Sequence, residues 1–450
     1  MYQEIYNFLN ECEQNESIKN ISFGIVNENE VLYQMNKKPY QIDQPRIMFS
    51  ITKSFTGLAI GMLLDDGLIN LDDKVSKYFK DYFPKILNEN LEKMTIRHLL
   101  SMSSGLKYEN FKDALVDDDF IKTFFSREFV NKPGSKYLYS TRTSHILSAL
   151  VRITTGKTLQ VFLDERLFKP LEITNYFWEE TPEGNSYGGS GLAITHDAMA
   201  KLGILLLNDG VYKGKRIVSK AFLDEATKSQ VIKQDSVGTE ASKSRGISYG
   251  YQFHIVNENE YAADGMFGQV IYVFKDLKIA IILTSQTTDF VKIYALIQKH
   301  FRNFTLSNDI NKDQLDLYVK TLTYEKESSN VVFKHDLTFK LDKNSLKVNS
   351  VRVNKDFIEF THDDESVDRL NLNERIGYLR FIRTINYERQ KVFLTVLASS
   401  EDKLVIELTH LESPFISQFI FEKRESESIF RFEPIITFYL DKFEQPIRNH

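Results

Sequence analysis

Cysteine is nearly missing from this chain. Cys12 is the only one in 450 residues, so no internal disulfide can close and no cysteine-based zinc site can assemble. So few thiols fit a reducing compartment. A basic block is missing too: 57 Lys and Arg lie interspersed among 62 Asp and Glu, and a formal net charge of −5 gives no reason to expect a nucleic-acid partner. The longest apolar runs, such as 58–64, fall far short of the roughly 20 residues that span a bilayer, so no membrane partner is expected. The polar opening MYQEIYNFLNECEQNES has no basic stretch followed by an apolar one, which argues against a secretory leader and makes the cytoplasm the simplest address. No H-E-x-x-H and no His/Asp/Glu cluster with metal-ligand spacing occurs, so neither a metal nor an organic cofactor is expected.

What is present is an ordinary globular composition, 42% apolar and 26% charged, with 34 Phe and 22 Tyr to build large cores. The length suits two or three domains. Residues 1–14 have the spacing of an amphipathic helix, and ISFGIVNENEVLYQMN reads as two strands around the turn Asn27–Glu30. Apolar positions 51, 55, 58, 59, 62 and 63 predict a helix that stops at Asp65-Asp66-Gly67. Residues 68–240 read as helical patches punctuated by Gly and Pro. Strands return at SYGYQFHIV (248–256), GQVIYVF (268–274) and KIAIILTS (278–285), before a helix over 289–301. Strands at both ends with helices between predict an antiparallel sheet flanked by helices, with a helical region inserted, in an α/β unit over residues 1–304. A polar linker is expected at 305–323, and short alternating runs over 324–450 predict an additional C-terminal all-β domain, a barrel or a sandwich.

Three Ser-x-x-Lys tetrads occur, beginning at Ser50, Ser104 and Ser400. Activation of the serine needs Ser and Lys on one face of a helix, with the hydroxyl at the N-terminus, where free N–H groups favour an anion. The lysine must also be desolvated, so that its pKa falls from about 10.4 towards neutrality. Ser400 lies in a charged turn, and Ser104 runs at once into Gly105 with no helical pattern behind it. Ser50 opens the most apolar helix in the chain and brings Lys53 one turn on. The plainer alternative is a helix N-cap with a solvated lysine. Lys53 in a first turn has the wrong sign for the helix dipole, which counts towards function.

Five collinear segments resemble the serine beta-lactamase and penicillin-binding-protein-like family, in particular class C beta-lactamases and their esterase relatives. They are RIMFSITKSFTGLAIGMLLDDGLINLDDKVSKYFKDYFP, TIRHLLSMSSGL (95–106), KPGSKYLYSTRTSHILSALVRITTGKTL (132–159), SGLAITHDAMAKLGILLLNDGVYKGKRIVS and AADGMFGQVIYVF (262–274). The resemblance spans roughly 20–285 and does not cover the C-terminal β region. It implies that Ser50 is acylated, that Lys53 relays its proton, and that Tyr139 is the phenolic acid and base, with its pKa lowered by the neighbouring ammonium. Tyr137 competes for that role. The implied oxyanion hole is the amide of Ser50 with that of Met266, and Thr141, Ala263, Gly265 and Gln269 complete the implied substrate-binding set.

Two departures from the family pattern narrow the function. Thr141 stands where the second motif often has Asn, and the third motif reads Ala263-Asp264-Gly265, with no cation to meet a substrate carboxylate. Gly268-Gln269 is similar to esterase- and amidase-like members. The resemblance therefore implies a serine hydrolase acting on a small-molecule substrate: an ester, an amide or a D-amino-acid peptide. The alternatives are a beta-lactamase or D,D-peptidase, or a non-catalytic binding protein on the same fold. His98, His145 and His196 are expected in structural roles, and Gly188-Gly189-Ser190-Gly191 in packing against the cleft rather than in a phosphate loop.

Overall fold

Unbroken apolar runs at 270–274 and 279–283 have the composition of strands buried on both faces. In the computed structural model, which describes residues 1–85, 88–109, 119–239, 244–287, 289–303, 310–380, 390–436 and 441–448, both lie inside an eight-stranded antiparallel sheet. Its strands are β1 (Asn20–Asn27), β2 (Val31–Asn36), β3 (Val231–Ile232), β4 (Ser248–Tyr249), β5 (His254–Ile255), β6 (Glu260–Gly265), β7 (Gln269–Phe274) and β8 (Ile279–Ser285). The order β2-β1-β8-β7-β6-β5-β4-β3 joins the two ends of the unit, as the strand pattern predicts. One strand was expected over 248–256, but two short ones form around a turn in which Gln252 has φ 65°. The Gln252 side chain holds that turn, accepting from Ser144 Oγ at 2.7 Å and donating to the Leu100 carbonyl at 2.8 Å.

Helices cover both faces of the sheet. On one, α1 (Tyr2–Gln14) packs beside α5 (Phe290–Phe301), with the Phe8 ring 5.4 Å from both Phe23 and Phe301. On the other, α4 (His196–Leu207) lies over β1 and β8, where Gly203 approaches Val26 and Ile282. Beyond it are α2 (Ile51–Asp65), buried from Ile51 to Leu63, and α3 (Thr141–Thr155), capped by Ser140 at its start and by Gly156 at φ 73° at its end. Gly67, at φ 68°, follows the end of α2 where the Asp-Asp-Gly stop is expected.

The chain divides into two compact units, Met1–Asn36 with Ile42–Val319, and Lys37–Gln41 with Lys320–His450. The stretch expected as a linker contains helix α6 (Lys312–Val319). Its Leu315 is buried, Tyr318 lies 4.6 Å from the Tyr6 ring of α1, and Tyr33 donates to Asp316 at 2.8 Å. Leu315, Leu317, Tyr318 and Val319 all fall in the last five residues of α6, a run too short to register as a helical period. The second unit is all β, as expected: a four-stranded antiparallel sheet over residues 337–371 and a six-stranded one over 376–448, each in sequence order. Alternate residues face a core of stacked rings, in which Phe430 contacts Phe419, Phe421 and Phe339.

Candidate active site

The start of α2 is conformationally costly. Phe49 adopts φ 48°, a left-handed value rare for a residue with a large side chain. Phe267, at φ 65°, does the same beyond the end of β6, and the two rings pack 5.5 Å apart. Backbone strain of this kind persists only where the surroundings over-determine it. Ser50 follows Phe49 at the N-cap of α2, yet its side chain makes no cap hydrogen bond. The hydroxyl is therefore not spent on helix capping.

One turn on, the Lys53 ammonium donates to Ser50 Oγ at 3.2 Å, to Thr141 Oγ1 at 3.3 Å and to the Gly189 carbonyl oxygen at 2.5 Å. Lys53 is buried, and loss of water lowers its pKa to about 7, with the charges of Glu109 and Asp264 pulling it back up. From 10.5 to about 7 corresponds to about 5 kcal/mol set against the charged form. A neutral amine has one lone pair and two N–H groups, so the Ser50 hydroxyl can then donate to Lys53.

Tyr139, not Tyr137, meets the lysine: Lys53 Nζ lies 4.9 Å from the centre of its ring. Tyr137 instead packs on Tyr249 at 5.4 Å. The expected lowering of the Tyr139 pKa does not occur. Burial pushes it well up and the charge of Asp264 adds to this, while the Ser50 hydroxyl and Arg245 pull only partly back. Tyr139 is a neutral phenol at physiological pH.

Gly265 ends β6 against the start of α2, where a Cβ would lie 2.0 Å from the Met48 carbonyl oxygen and 3.2 Å from the Ser50 amide nitrogen. Met266, half-buried, follows. Among the described residues, neither the Ser50 nor the Met266 amide N–H has a protein acceptor. Thr141 is brought to Lys53. Ala263 is not brought to a cleft: it is buried in the apolar core with Met48 and Ile51. Gln269 is also fully buried and donates to the Ser285 carbonyl at 3.0 Å, so it braces the turn after β6 instead of facing a substrate. The glycine-rich segment packs as expected, since a Cβ at Gly189 would meet the Thr141 carbonyl at 2.6 Å.

Three features of the site had no signal in the sequence. The Gly189 carbonyl accepts from Lys53. Glu109, whose carboxyl burial pushes up while Arg142 pulls it down, accepts from Arg142 at 2.8 Å and from Ser140 at 3.1 Å. Asp264 is buried and held by Arg245 at 2.7 Å and Tyr294 at 2.7 Å. Burial raises the Asp264 pKa, but Arg245 and His254 outweigh it and hold the carboxyl ionised, well below the usual range.

With this geometry in place, the comparisons with known proteins decide the family. The family model described as Beta-lactamase matches residues 7–296. The chain belongs to the Beta-lactamase family. Protein flp of Staphylococcus aureus (strain N315) is 28% identical over 151 residues, 32% of this chain and 30% of flp. An uncharacterised protein of Alkalihalophilus pseudofirmus is 26% identical over 43% of this chain and 58% of its own length. The chain thus matches about a third to just over half of the length of these curated relatives. Among solved structures, the octameric penicillin-binding protein homologue from Pyrococcus abyssi aligns over 99% of both chains with a TM-score of 0.54 at 17% identity. A family VIII carboxylesterase aligns over 67% of this chain and 97% of its own, with a TM-score of 0.54 at 16% identity. These likenesses are of fold.

In this member of the Beta-lactamase family the three histidines serve structure. His98 completes a capping box with Thr95. His145 pairs with Glu183 at 3.1 Å, and His196 bonds Ser22 at 2.8 Å beneath α4. The other Ser-x-x-Lys tetrads separate: Lys107 pairs with Glu128 at the surface, and Ser400 Oγ accepts from the Lys403 amide in a turn. No group of His, Cys, Asp and Glu able to hold a metal occurs among the described residues, and no single helix there is long and apolar enough to cross a membrane.

Proposed function

We propose that this chain is a serine hydrolase that cleaves a small ester or amide through an acyl-Ser50 intermediate. The observation that carries this reading is the buried Lys53 amine, 3.2 Å from the Ser50 hydroxyl and with a pKa of about 7. In its neutral form the amine takes the proton as Ser50 Oγ adds to the substrate carbonyl. The developing oxyanion is assigned to the free amides of Ser50 and Met266, each such donor being worth ~10²–10³ in rate. Collapse expels the alcohol or amine, which takes a proton through the Tyr139 phenol from Lys53. Water then adds to the acyl-enzyme, giving its proton to Lys53, and the acid departs as Ser50 is restored. Thr141 and the Gly189 carbonyl hold the amine in line.

Turnover of p-nitrophenyl acetate, with a fluorophosphonate adduct mapped by mass spectrometry, tests this. Wild type should turn over and label at Ser50, and Ser50→Ala should do neither. Labelling elsewhere, or equal turnover by Ser50→Ala, refutes the assignment. A folded wild type with no turnover would favour a binding role. Nitrocefin and a D-Ala-D-Ala peptide, run alongside, separate a small-ester hydrolase from a beta-lactamase or D,D-peptidase.

A further inference from the structure

The short strands beyond β6 carry charged groups that the acyl chemistry above does not use. Val231 of β3 pairs with Tyr249 of β4, and the ladder continues through the Lys233 N–H, which donates to the Ile247 carbonyl at 2.7 Å. Side chains two residues apart on a strand share a face, so Lys233 lies on the side of Val231. Val231 and Tyr249 pack there against Tyr137 and Tyr139. Tyr249 lies 5.0 Å from His254, and His254 stacks 6.1 Å from the Tyr139 ring. The cluster thus adjoins the phenol that sits beneath the Lys53 amine.

Its charges do not cancel. Arg245 grips Asp264 with both arms, at 3.0 and 2.7 Å, so those two neutralise each other. Burial drives the His254 pKa down to about 4, so it is uncharged at neutral pH. Lys233 remains. It is only 5% exposed, its ammonium donates to the Arg245 carbonyl at 3.2 Å, and among the described residues no carboxylate forms an ion pair with it, the charge of Asp264 acting only from a distance. Burial, with Arg245 nearby, lowers its pKa to about 8, which still leaves it mostly protonated at pH 7. A buried ammonium with two N–H groups to spare is costly unless something anionic comes to it.

We propose that Lys233 anchors a carboxylate carried by the substrate, in a subsite walled by Tyr137, Tyr249 and His254. One net positive charge matches the single negative charge of a carboxylate, and the aromatic walls suit the apolar stretch between that carboxylate and the scissile carbonyl. The inference rests on the hydrolase reading and narrows its substrates to esters or amides with an acid group at some distance from the acyl carbon.

The test compares the mono-p-nitrophenyl ester of adipic acid with the same ester methylated at its free acid, with spontaneous hydrolysis subtracted. Wild type should favour the free acid at least tenfold in kcat/KM. Lys233→Met should lose that ratio, and Lys233→Arg should keep most of it. A wild-type ratio near one, or an unchanged ratio in Lys233→Met, overturns the anchor even where both esters turn over. Calorimetric binding of monomethyl adipate to Ser50→Ala, which needs no turnover, provides the second arm. At least a tenfold weakening by Lys233→Met supports the anchor, and equal binding, or none in the parent, overturns it. Loss of all ester turnover with that binding intact counts against the hydrolase reading alone.

Discussion

In the proposed mechanism the protonation of the Lys53 amine decides whether Ser50 can be activated, so pH should report on it directly. Burial lowers its pKa to about 7, and only the neutral form can accept a proton. The kcat/KM for a neutral ester should therefore rise with pH to a plateau, with an apparent pKa near 7. A profile flat from pH 5.5 to 9 would remove Lys53 as the base. The same shift makes a stability statement of opposite sign. The folded state resists a proton that the unfolded chain holds up to about pH 10.5, so the penalty is complete below pH 7 and fades between pH 7 and 10.5. Lys53→Met should therefore be inactive yet melt a few degrees higher than wild type at pH 6, with the gain shrinking as pH rises. Tyr139→Phe should retain the fold and lose about 10²–10⁴ in kcat, since it removes the proposed proton carrier. Ser50 and Lys53 were legible because a local rule, i and i+3 at a buried helix start, selects one tetrad of three. The sign of the Tyr139 shift was not, because it comes first from burial against Tyr249 and His254 and then from the charge of Asp264, all more than a hundred residues away in the chain.

At the scale of elements, two close approaches of backbone set the geometry around Ser50 and Lys53. β6 abuts the start of α2 at Gly265, and the 188–191 segment abuts α3 at Gly189. A methyl group at Gly265 would sit 2.0 Å from the Met48 carbonyl oxygen, so the strand or the helix start must give by about an ångström. Displacement of that size costs about 10² in rate. Gly265→Ala should lose roughly that much kcat/KM while circular dichroism still shows a folded protein; undiminished activity would mean that the strand end takes no part. Gly189→Ala should instead shift the midpoint of the pH–rate profile, because it moves the carbonyl that accepts from Lys53. The helices and strands around these contacts were readable from periodicity. The contacts were not: Arg245–Asp264 and Glu109–Arg142 join residues 19 and 33 positions apart, and such pairs leave no period. The family resemblance placed Ala263 and Gln269 in the binding set, but burial in the core and the Ser285 carbonyl claim them.

For the whole molecule, the division into two units is less simple than a cut at one linker. The second unit includes Lys37–Gln41, so the chain leaves the first unit after Asn36, returns at Ile42 and leaves again after Val319. Within the second unit the Tyr324 N–H donates to the Lys38 carbonyl at 2.7 Å, the Tyr40 and Tyr324 rings meet edge to face at 5.9 Å, and Lys37 Nζ lies 4.8 Å from the centre of the Tyr324 ring. Composition along the chain marked the start of the β region near 324, but five residues borrowed from the N-terminal side make no composition change. A fragment ending at Val319 would leave Lys37, 1% exposed in the intact chain, and Tyr40, 2% exposed, without these partners. A lost hydrogen bond costs about 1 kcal/mol and an uncovered tyrosine ring more, so residues 1–319 should melt several degrees below the corresponding transition of the full chain. Tyr324→Ala in the full chain should reproduce part of that fall in a calorimetric scan. If the fragment and the full chain melt together, the 37–41 segment gains nothing from the β unit, and a single cut after Val319 describes the protein better.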